Sequence, residues 1–351
     1  MATLPSSSSH NHTSRTLEAK LEFLRQPDSY PEKPRQVESV QTHMSWVFLT
    51  DRYAYKLKKP VRYDFLDFST VDARHYDCNE EVRLNGRLAP DVYLGTVPLT
   101  VNPSGEMELD GQGTAVEWLV QMRRLPAERF LDQAIRKHVV RETDIIQVAS
   151  ALANFYKRSP PIEIAPDEYT QRFEADIYAN LRELTLATYG LSADLVAGVC
   201  AAQMEFLKRE FNLFDVRVSE GRIIEAHGDL RPEHICLEES KPVIIDCLEF
   251  KREFRILDPA DELAFLALEC ERIGAPAFVP RLLFDQYRRI TGDAPKESLL
   301  QFYMSYRASL RAKLAIWHLR EPQVHDAIKW HQLAKQYLDL AARHIQCIAK
   351  T

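Results

Sequence analysis

The feature of this 351-residue chain that most limits what it can become is a stretch that delivers acids to one end of a short hairpin. His227-Gly228-Asp229-Leu230-Arg231-Pro232-Glu233-His234 leads into Ile235 to Leu237, then the polar turn Glu238-Glu239-Ser240-Lys241, then the apolar run from Pro242 that closes on Asp246. Apolar runs flanking a polar turn predict two antiparallel strands. With the turn centred near Ser240, His234 and Asp246 are equidistant from it and emerge at the same open end. Cross-strand Cβ atoms lie roughly 5 Å apart, so both side chains can reach one metal ion. Asp229 sits in the loop just before the first strand, within reach of the same point. The plain alternative is a surface hairpin with ordinary turn acids.

Composition narrows the classes. The length suits one large domain or two lobes with a substantial core. At 45% hydrophobic and 27% charged residues the chain reads as globular. The net charge of −6 argues against a binder dominated by nucleic-acid phosphates, and no basic block stands out. Cys78, Cys200, Cys236, Cys247, Cys270 and Cys347 show no Cys-x-x-Cys spacing, so they read as reduced thiols rather than a disulfide framework or zinc site. No apolar run is long enough for a membrane helix and no signal peptide is evident, which makes the cytoplasm the expected compartment. No Gly-x-x-x-x-Gly-Lys-Ser/Thr motif occurs, which excludes a P-loop nucleotidase on this chain.

Along the chain, residues 1–36 read as a disordered Ser- and His-rich tail, holding His10 and His12, followed by a linker. A short helix at Leu17 to Leu24 is possible within it, and Pro27, Pro31 and Pro34 enforce extension. Residues 37–122 predict a small β-rich lobe. Trp46 to Leu49 and Tyr53 to Val61 form a hairpin, and Ser69 caps a helix running to about Leu88. Strands follow at Val92 to Thr100 and Val116 to Met122. Residues 123–351 predict a large, mostly helical lobe that contains the hairpin at 227–247. Its helices include Thr143 to Lys157, Tyr169 to Tyr189, Ser192 to Phe211 and Asp258 to Glu271. The fold class is α+β with two lobes.

Several of these segments carry a resemblance. His227-Gly228-Asp229 and Ile244-Ile245-Asp246 resemble the catalytic and metal-binding motifs of aminoglycoside phosphotransferase-like small-molecule kinases, which have a bilobal protein-kinase-like fold. The chain is similar, more specifically, to an uncharacterised bacterial subgroup of that superfamily, some members of which are fused to a P-loop ATPase. The further matches are Thr42 to Leu49, Ala54-Tyr55-Lys56, Phe65 to Thr70, Glu81 to Asn85, Leu88-Ala89-Pro90, Tyr93-Leu94-Gly95 and Met122 to Pro126.

The resemblance implies ATP (or another NTP) and Mg²⁺ (or Mn²⁺) as cofactors, and a hydroxyl on a small molecule as acceptor: a sugar, an amino sugar, an aminoglycoside or similar. It implies neither a nucleic-acid nor a membrane partner, and leaves the oligomeric state unspecified. Phosphoryl transfer needs a cation on the phosphates, metal, and a carboxylate that orients the acceptor. Lys56 is the phosphate contact; strand alternation puts Ala54 on its face, with Lys58 and Lys59 as competitors. Glu81 is the partner of Lys56, with Glu80 as its rival. Asp229 orients the hydroxyl, His227 braces the loop, and Asp246 holds metal.

His234 departs from the pattern, because the superfamily usually has Asn there as second metal ligand. It could ligate a softer ion, leave a single metal on Asp246, or mark a nucleotide-binding pseudokinase or regulatory module. The loop from Gln41 to Ser45 lacks glycine, so Ser45 or Thr42 would help hold phosphate by side-chain hydrogen bonds. Met122 and Arg123 would contact adenine through their backbone. Tyr303, Arg307 and Arg311 share a helical stripe that either binds an anionic acceptor or is an ion-paired face. Asp258 to Ala264 matches an Asp-Pro…Asp-Leu-Ala segment, with Glu262 where Asp is commoner and a structural role expected.

Overall fold

Two threonines set the first turns of the small lobe. Thr42 Oγ1 accepts the N–H of Ser45 at 3.0 Å, and Thr50 Oγ1 accepts that of Tyr53 at 3.0 Å, so the same side-chain device closes two successive hairpins. In the computed structural model, which describes residues 16–63, 66–320 and 326–348, these turns join β1 (Glu38–Gln41), β2 (Ser45–Leu49) and β3 (Tyr53–Lys58). The expected tail with His10 and His12, and Phe65 of the matched motif, lie outside the described residues. A small ribbon, β4 (Arg62–Tyr63) with β5 (Leu66–Asp67), precedes α1 (Val71–Asn85). Thr70, not Ser69, caps this helix by accepting the N–H of Ala73, and Gly86 ends it; Ser69 instead binds Asp67.

Then come β6 (Tyr93–Val101), β7 (Met107–Leu109) and β8 (Thr114–Arg123), completing an antiparallel six-stranded sheet of order β1-β2-β3-β8-β6-β7. The stretch before the sheet is not a bare linker. Residues 17–24 form a helix, and Leu21, Leu24 and Tyr30 join Phe48, Tyr55, Leu57, Leu99 and Leu119 in the core. Lys20 Nζ reaches Val116 O (2.7 Å) and Glu117 Oε2 (3.0 Å). The prolines do not hold the stretch extended as expected: Pro27 opens a 3-10 turn at Pro27–Ser29 and Pro31 sits in a turn. Leu21, Leu24 and Tyr30 pack with the apolar residues of the sheet, which the linker expectation left out.

The chain divides into two units, one running to Pro126 and taking in 244–251, the other made of 127–243 and 252–351. The first unit thus runs four residues past 122 and takes in Asp246. The hydrogen bonds that residues 246–249 make to Tyr93, Asn85 and Lys58 explain that placement.

The larger unit contains α2 (Leu131–Arg136), α3 (Glu142–Arg158), α4 (Pro166–Leu184), α5 (Ala193–Arg209) and α6 (Phe211–Ser219). β9 (Ile224–Glu225) follows, then the hairpin strands β10 (Ile235–Leu237) and β11 (Pro242–Ile244), and β12 (Ile256–Leu257), which pairs with β9. The last helices are α7 (Pro259–Arg272), α8 (Phe278–Thr291), α9 (Glu297–Trp317) and α10 (Ala327–Ile348). Helix α4 stops before the left-handed Gly190, five residues short of the expected end at Tyr189. Phe173, Phe206, Phe214, Phe302, Tyr303 and Tyr306 form an aromatic core among α4, α5, α6 and α9. Cys347 is exposed and the other five thiols are buried. No helix of the described residues is long and apolar enough to cross a membrane.

Candidate active site

Strand alternation points Lys56 to the side of the sheet that carries α1. There its Nζ lies 2.8 Å from Glu81 Oε1 and 2.8 Å from Asp246 Oδ1. Glu81 is fully buried, whereas the neighbouring Glu80 pairs with Arg83 on the surface. Burial opposes the charge on Lys56, but Asp246, Glu81 and Glu249 together outweigh it and hold the ammonium well above the ordinary lysine range. The lysine is thus a permanent cation. Asp246 has a φ of 62°, a left-handed conformation that Asp tolerates better than most residues. Its N–H donates to the Tyr93 hydroxyl at 3.0 Å, and the next N–H, of Cys247, donates to Asn85 Oδ1 at 2.8 Å. Asn85 in turn donates to Glu81 O (2.9 Å), so α1 holds both the glutamate and the loop.

The second lysine on that face has a role that the sequence reading did not assign. Lys58 Nζ contacts Asp77 Oδ2 (2.7 Å), Glu81 Oε2 (2.7 Å) and Glu249 Oε1 (2.5 Å) and is almost completely buried. Glu81 therefore bridges both lysines, and Glu249 fastens the segment after Asp246 to the sheet. Burial pushes the carboxyl of Asp77 upward, only partly opposed by Lys58. The alternation that groups Lys56 with Lys58 was visible in the sequence. The burial of the second was not.

In the larger unit, Gly228 adopts a φ of 88°, which only glycine enters without strain, and turns the His-Gly-Asp loop. Glu262, in the first turn of α7, accepts the N–H groups of His227 (2.9 Å) and Gly228 (2.7 Å) through Oε1. Its other oxygen accepts from the Tyr156 hydroxyl at 2.8 Å. His227 is sealed from solvent, and its Nδ1 accepts the N–H of Asp229 at 3.3 Å. The carboxylate of Asp229 keeps about a quarter of its surface exposed (28%) and is met by Arg231, whose Nε and Nη2 lie 3.1 and 3.0 Å from Oδ2. Burial works against the charge of Arg231, and Asp229 leads the carboxylates that more than restore it.

The residues differ in how well they suit a metal ion. Asp246 presents a carboxylate with 41% of its side chain exposed, the hard oxygen donor that Mg²⁺ takes alongside phosphate oxygens and waters. His234 does not offer a comparable donor. Its Nδ1 is 2.8 Å from Asp229 O and its Nε2 is 2.9 Å from Arg231 Nη2, so each ring nitrogen already has a protein partner. Among the described residues no group of three His, Cys, Asp or Glu side chains is arranged to hold an ion.

Other expected site residues have their own surroundings. Thr42 spends its hydroxyl on the turn, and Ser45 is buried. Met122 pairs with Ala54 and Tyr93 in the sheet, and the N–H of Arg123 donates to Val92 O at 2.9 Å, so that group is already used. Tyr303, expected among the acceptor contacts, is instead fully buried, with its hydroxyl 3.1 Å from Asp258 Oδ2. Arg307 Nε is 2.7 Å from Asp261 Oδ1, and Arg311 Nε is 3.3 Å from Glu269 Oε1. The ion-paired alternative describes the surroundings of these two arginines, because the acids of α7 stand opposite the stripe.

No family model matches the chain. An uncharacterised protein of Mycobacterium tuberculosis is 32% identical over 308 residues, which cover 87% of this chain and 59% of that protein; an uncharacterised protein of Mycobacterium bovis gives the same figures. The chain thus spans a little under two thirds of the length of the curated relatives it matches. Among solved structures, a choline/ethanolamine kinase family protein from Mesorhizobium loti superposes with a TM-score of 0.55 at 14% identity, over 95% of this chain and 99% of that one. Choline kinase from Cryptosporidium parvum gives 0.57 at 10% identity, over 95% and 96%. A thermostable mutant of an aminoglycoside phosphotransferase, in ternary complex with AMP-PNP and hygromycin B, gives 0.50 at 10%, over 88% and 94%. The chain has the α+β, bilobal, protein-kinase-like fold that choline kinases and aminoglycoside phosphotransferases share.

Proposed function

We propose that the chain is a phosphotransferase that moves the terminal phosphoryl group of ATP, or another NTP, to a hydroxyl of a small molecule such as a sugar, an amino sugar or an aminoglycoside. The observation that carries this reading is the pairing of Lys56 with both Glu81 and Asp246. It combines a permanent cation suited to phosphates with a hard carboxylate suited to magnesium. The ternary complex of the aminoglycoside phosphotransferase with AMP-PNP and hygromycin B supports the substrate classes by analogy of fold.

In this reading Lys56 binds the nucleotide phosphates and Glu81 keeps its ammonium aimed. Asp246 holds Mg²⁺ or Mn²⁺, which when bound neutralises charge on the triphosphate. Asp229 accepts a hydrogen bond from the acceptor hydroxyl and takes its proton. The acceptor oxygen forms its bond to phosphorus as the bond from that phosphorus to the departing diphosphate breaks. His227 keeps the loop of Asp229 in shape, and Glu262 anchors that loop to α7. With ATP as donor, the reaction belongs in the cytoplasm.

The engagement of both nitrogens of His234 favours a second reading, a nucleotide-binding module with little transfer activity. One experiment separates the two: incubation with ATP and a panel of hydroxylated metabolites, in Mg²⁺ and in Mn²⁺, followed by mass spectrometry. A product heavier by one phosphoryl group, lost in Asp229→Ala, supports transfer. Nucleotide binding with no such product in either metal supports the module.

A further inference from the structure

The ring of His234 has one possible protonation pattern in its neutral form. Nδ1 lies 2.8 Å from the carbonyl oxygen of Asp229, which can only accept, so Nδ1 carries the proton and Nε2 the lone pair. That lone pair faces Arg231 Nη2 at 2.9 Å, and a guanidinium can only donate. A metal ion would need the same lone pair at about 2.1 Å. It would have to displace a cation that is also ion-paired with Asp229 at 3.0 Å. His234 is buried while Arg231 keeps 24% of its side chain exposed, so the cation, and not the imidazole, is the outward-facing group. The contacts to Asp229 and His234 draw on Nε and Nη2, which leaves the Nη1 pair of donors on a planar fork suited to phosphate oxygens.

We propose that Arg231, positioned by His234, serves as a fixed positive charge for the phosphoryl group in place of a second metal ion, so that the chain works with one divalent ion per nucleotide. The inference rests on the phosphotransferase reading above. It assigns His234 as a positioning residue and removes it from the metal ligands. Softer ions then gain no preference from the imidazole, because its lone pair is spent within the protein.

The test counts ions. The full chain with AMP-PNP is titrated with Mn²⁺, with bound and free ion separated by electron paramagnetic resonance. Pulsed spectra are then read for coupling to imidazole nitrogen. The wild type binds one Mn²⁺ per nucleotide complex with no imidazole coupling. Arg231→Met frees Nε2, so a second Mn²⁺ binds and imidazole coupling appears, while nucleotide affinity falls on the order of tenfold for the lost phosphate contact. Arg231→Lys, which keeps the charge, stays at one ion and retains more of that affinity than Arg231→Met; it also supplies the comparison with wild type if Arg231→Met does not fold. Two ions or imidazole coupling in the wild type overturn the inference and leave the phosphotransferase reading standing. So does a soluble Arg231→Met that stays at one ion. Absence of any Mn²⁺·AMP-PNP binding by the wild type overturns both.

Discussion

The carboxylate of Asp246 lies 2.8 Å from the ammonium of Lys56, across 190 positions of sequence. Lys58, two residues on, makes the parallel contact to Glu249, three residues beyond Asp246. Adjacent strand positions on one face thus grip two points of a single loop. One grip is partly exposed and the other is nearly closed to solvent, so under the proposed function Lys56 serves the nucleotide and Lys58 the stability of the loop.

Lys56→Met and Lys58→Met are expected to differ in kind. Loss of Lys58 leaves the buried carboxylates of Asp77, Glu81 and Glu249 short of their shared cation, and breaking a buried pair typically costs about 3–5 kcal/mol. Lys56→Met leaves Glu81 still paired to Lys58 and removes the proposed phosphate contact. Urea unfolding shows the larger loss for Lys58→Met, and calorimetric titration with nucleotide shows the larger loss of affinity per folded molecule for Lys56→Met. Equal stability of the two variants would mean that the buried cluster does not hold the loop.

Asp229 is partly exposed and its ion pair is with Arg231, so Asp229→Ala is expected to leave the fold intact. If it is the proton acceptor, as proposed, its loss costs roughly 10²- to 10⁴-fold in turnover. Single-turnover transfer to whichever acceptor gains mass in the metabolite panel measures the loss. A rate within a few-fold of wild type would remove Asp229 from the chemistry.

Much of this arrangement was legible before any coordinates. The strand at Ile235–Leu237 falls where the alternation puts it, and α3 (Glu142–Arg158) and α7 (Pro259–Arg272) begin and end within one or two residues of the helical pattern. What escaped was decided by tertiary partners. The run from Pro242 to Asp246 reads as strand to its end, but β11 stops at Ile244 and Asp246 turns left-handed, because the Tyr93 hydroxyl and Asn85 capture the next backbone groups. A lysine gives no periodic sign of burial, so Lys58 read as a competitor for the phosphates. The engagement of His234 by Arg231 needed the loop geometry, since a spacing of three residues shows only that the pair can meet.

The contact of Glu262 with the backbone of His227 and Gly228 predicts an effect of a different kind. Glu262→Ala leaves two buried N–H groups and the Tyr156 hydroxyl without their acceptor, a cost of about 2–5 kcal/mol at 1–3 per group with partial relaxation. Glu262→Gln keeps one carbonyl oxygen for the two amides, so most of the stability returns. The loop that carries Asp229 is loosened in Glu262→Ala, which lowers turnover while nucleotide affinity holds. Denaturation midpoints and the split between turnover and nucleotide binding read out the two effects. A turnover that follows nucleotide affinity would place the role of Glu262 elsewhere.

Acid stability should depend on a buried group far along the chain from the site. Arg217 donates to Asp258 through Nε and Nη2 at 2.7 Å each, and to Asp293 through Nη1 and Nη2 at 2.6 Å each; Tyr287 donates to Asp293 at 2.5 Å. Burial raises the carboxyl of Asp293, but the bonds and charge of Arg217 outweigh it and hold the group below the usual aspartate range. A carboxyl depressed in the folded state binds fewer protons than its unfolded counterpart. Its contribution is therefore full above the unfolded value, about 3.9, and is lost as pH falls through the lower folded one. Asp293→Asn is expected to be less stable at neutral pH by about 2 kcal/mol, the scale of a lost charge-assisted hydrogen bond. It should also lose less stability than wild type between pH 5 and 3. Urea midpoints measured across that range give the comparison, and parallel acid limbs for the two proteins would show that Asp293 does not carry the linkage.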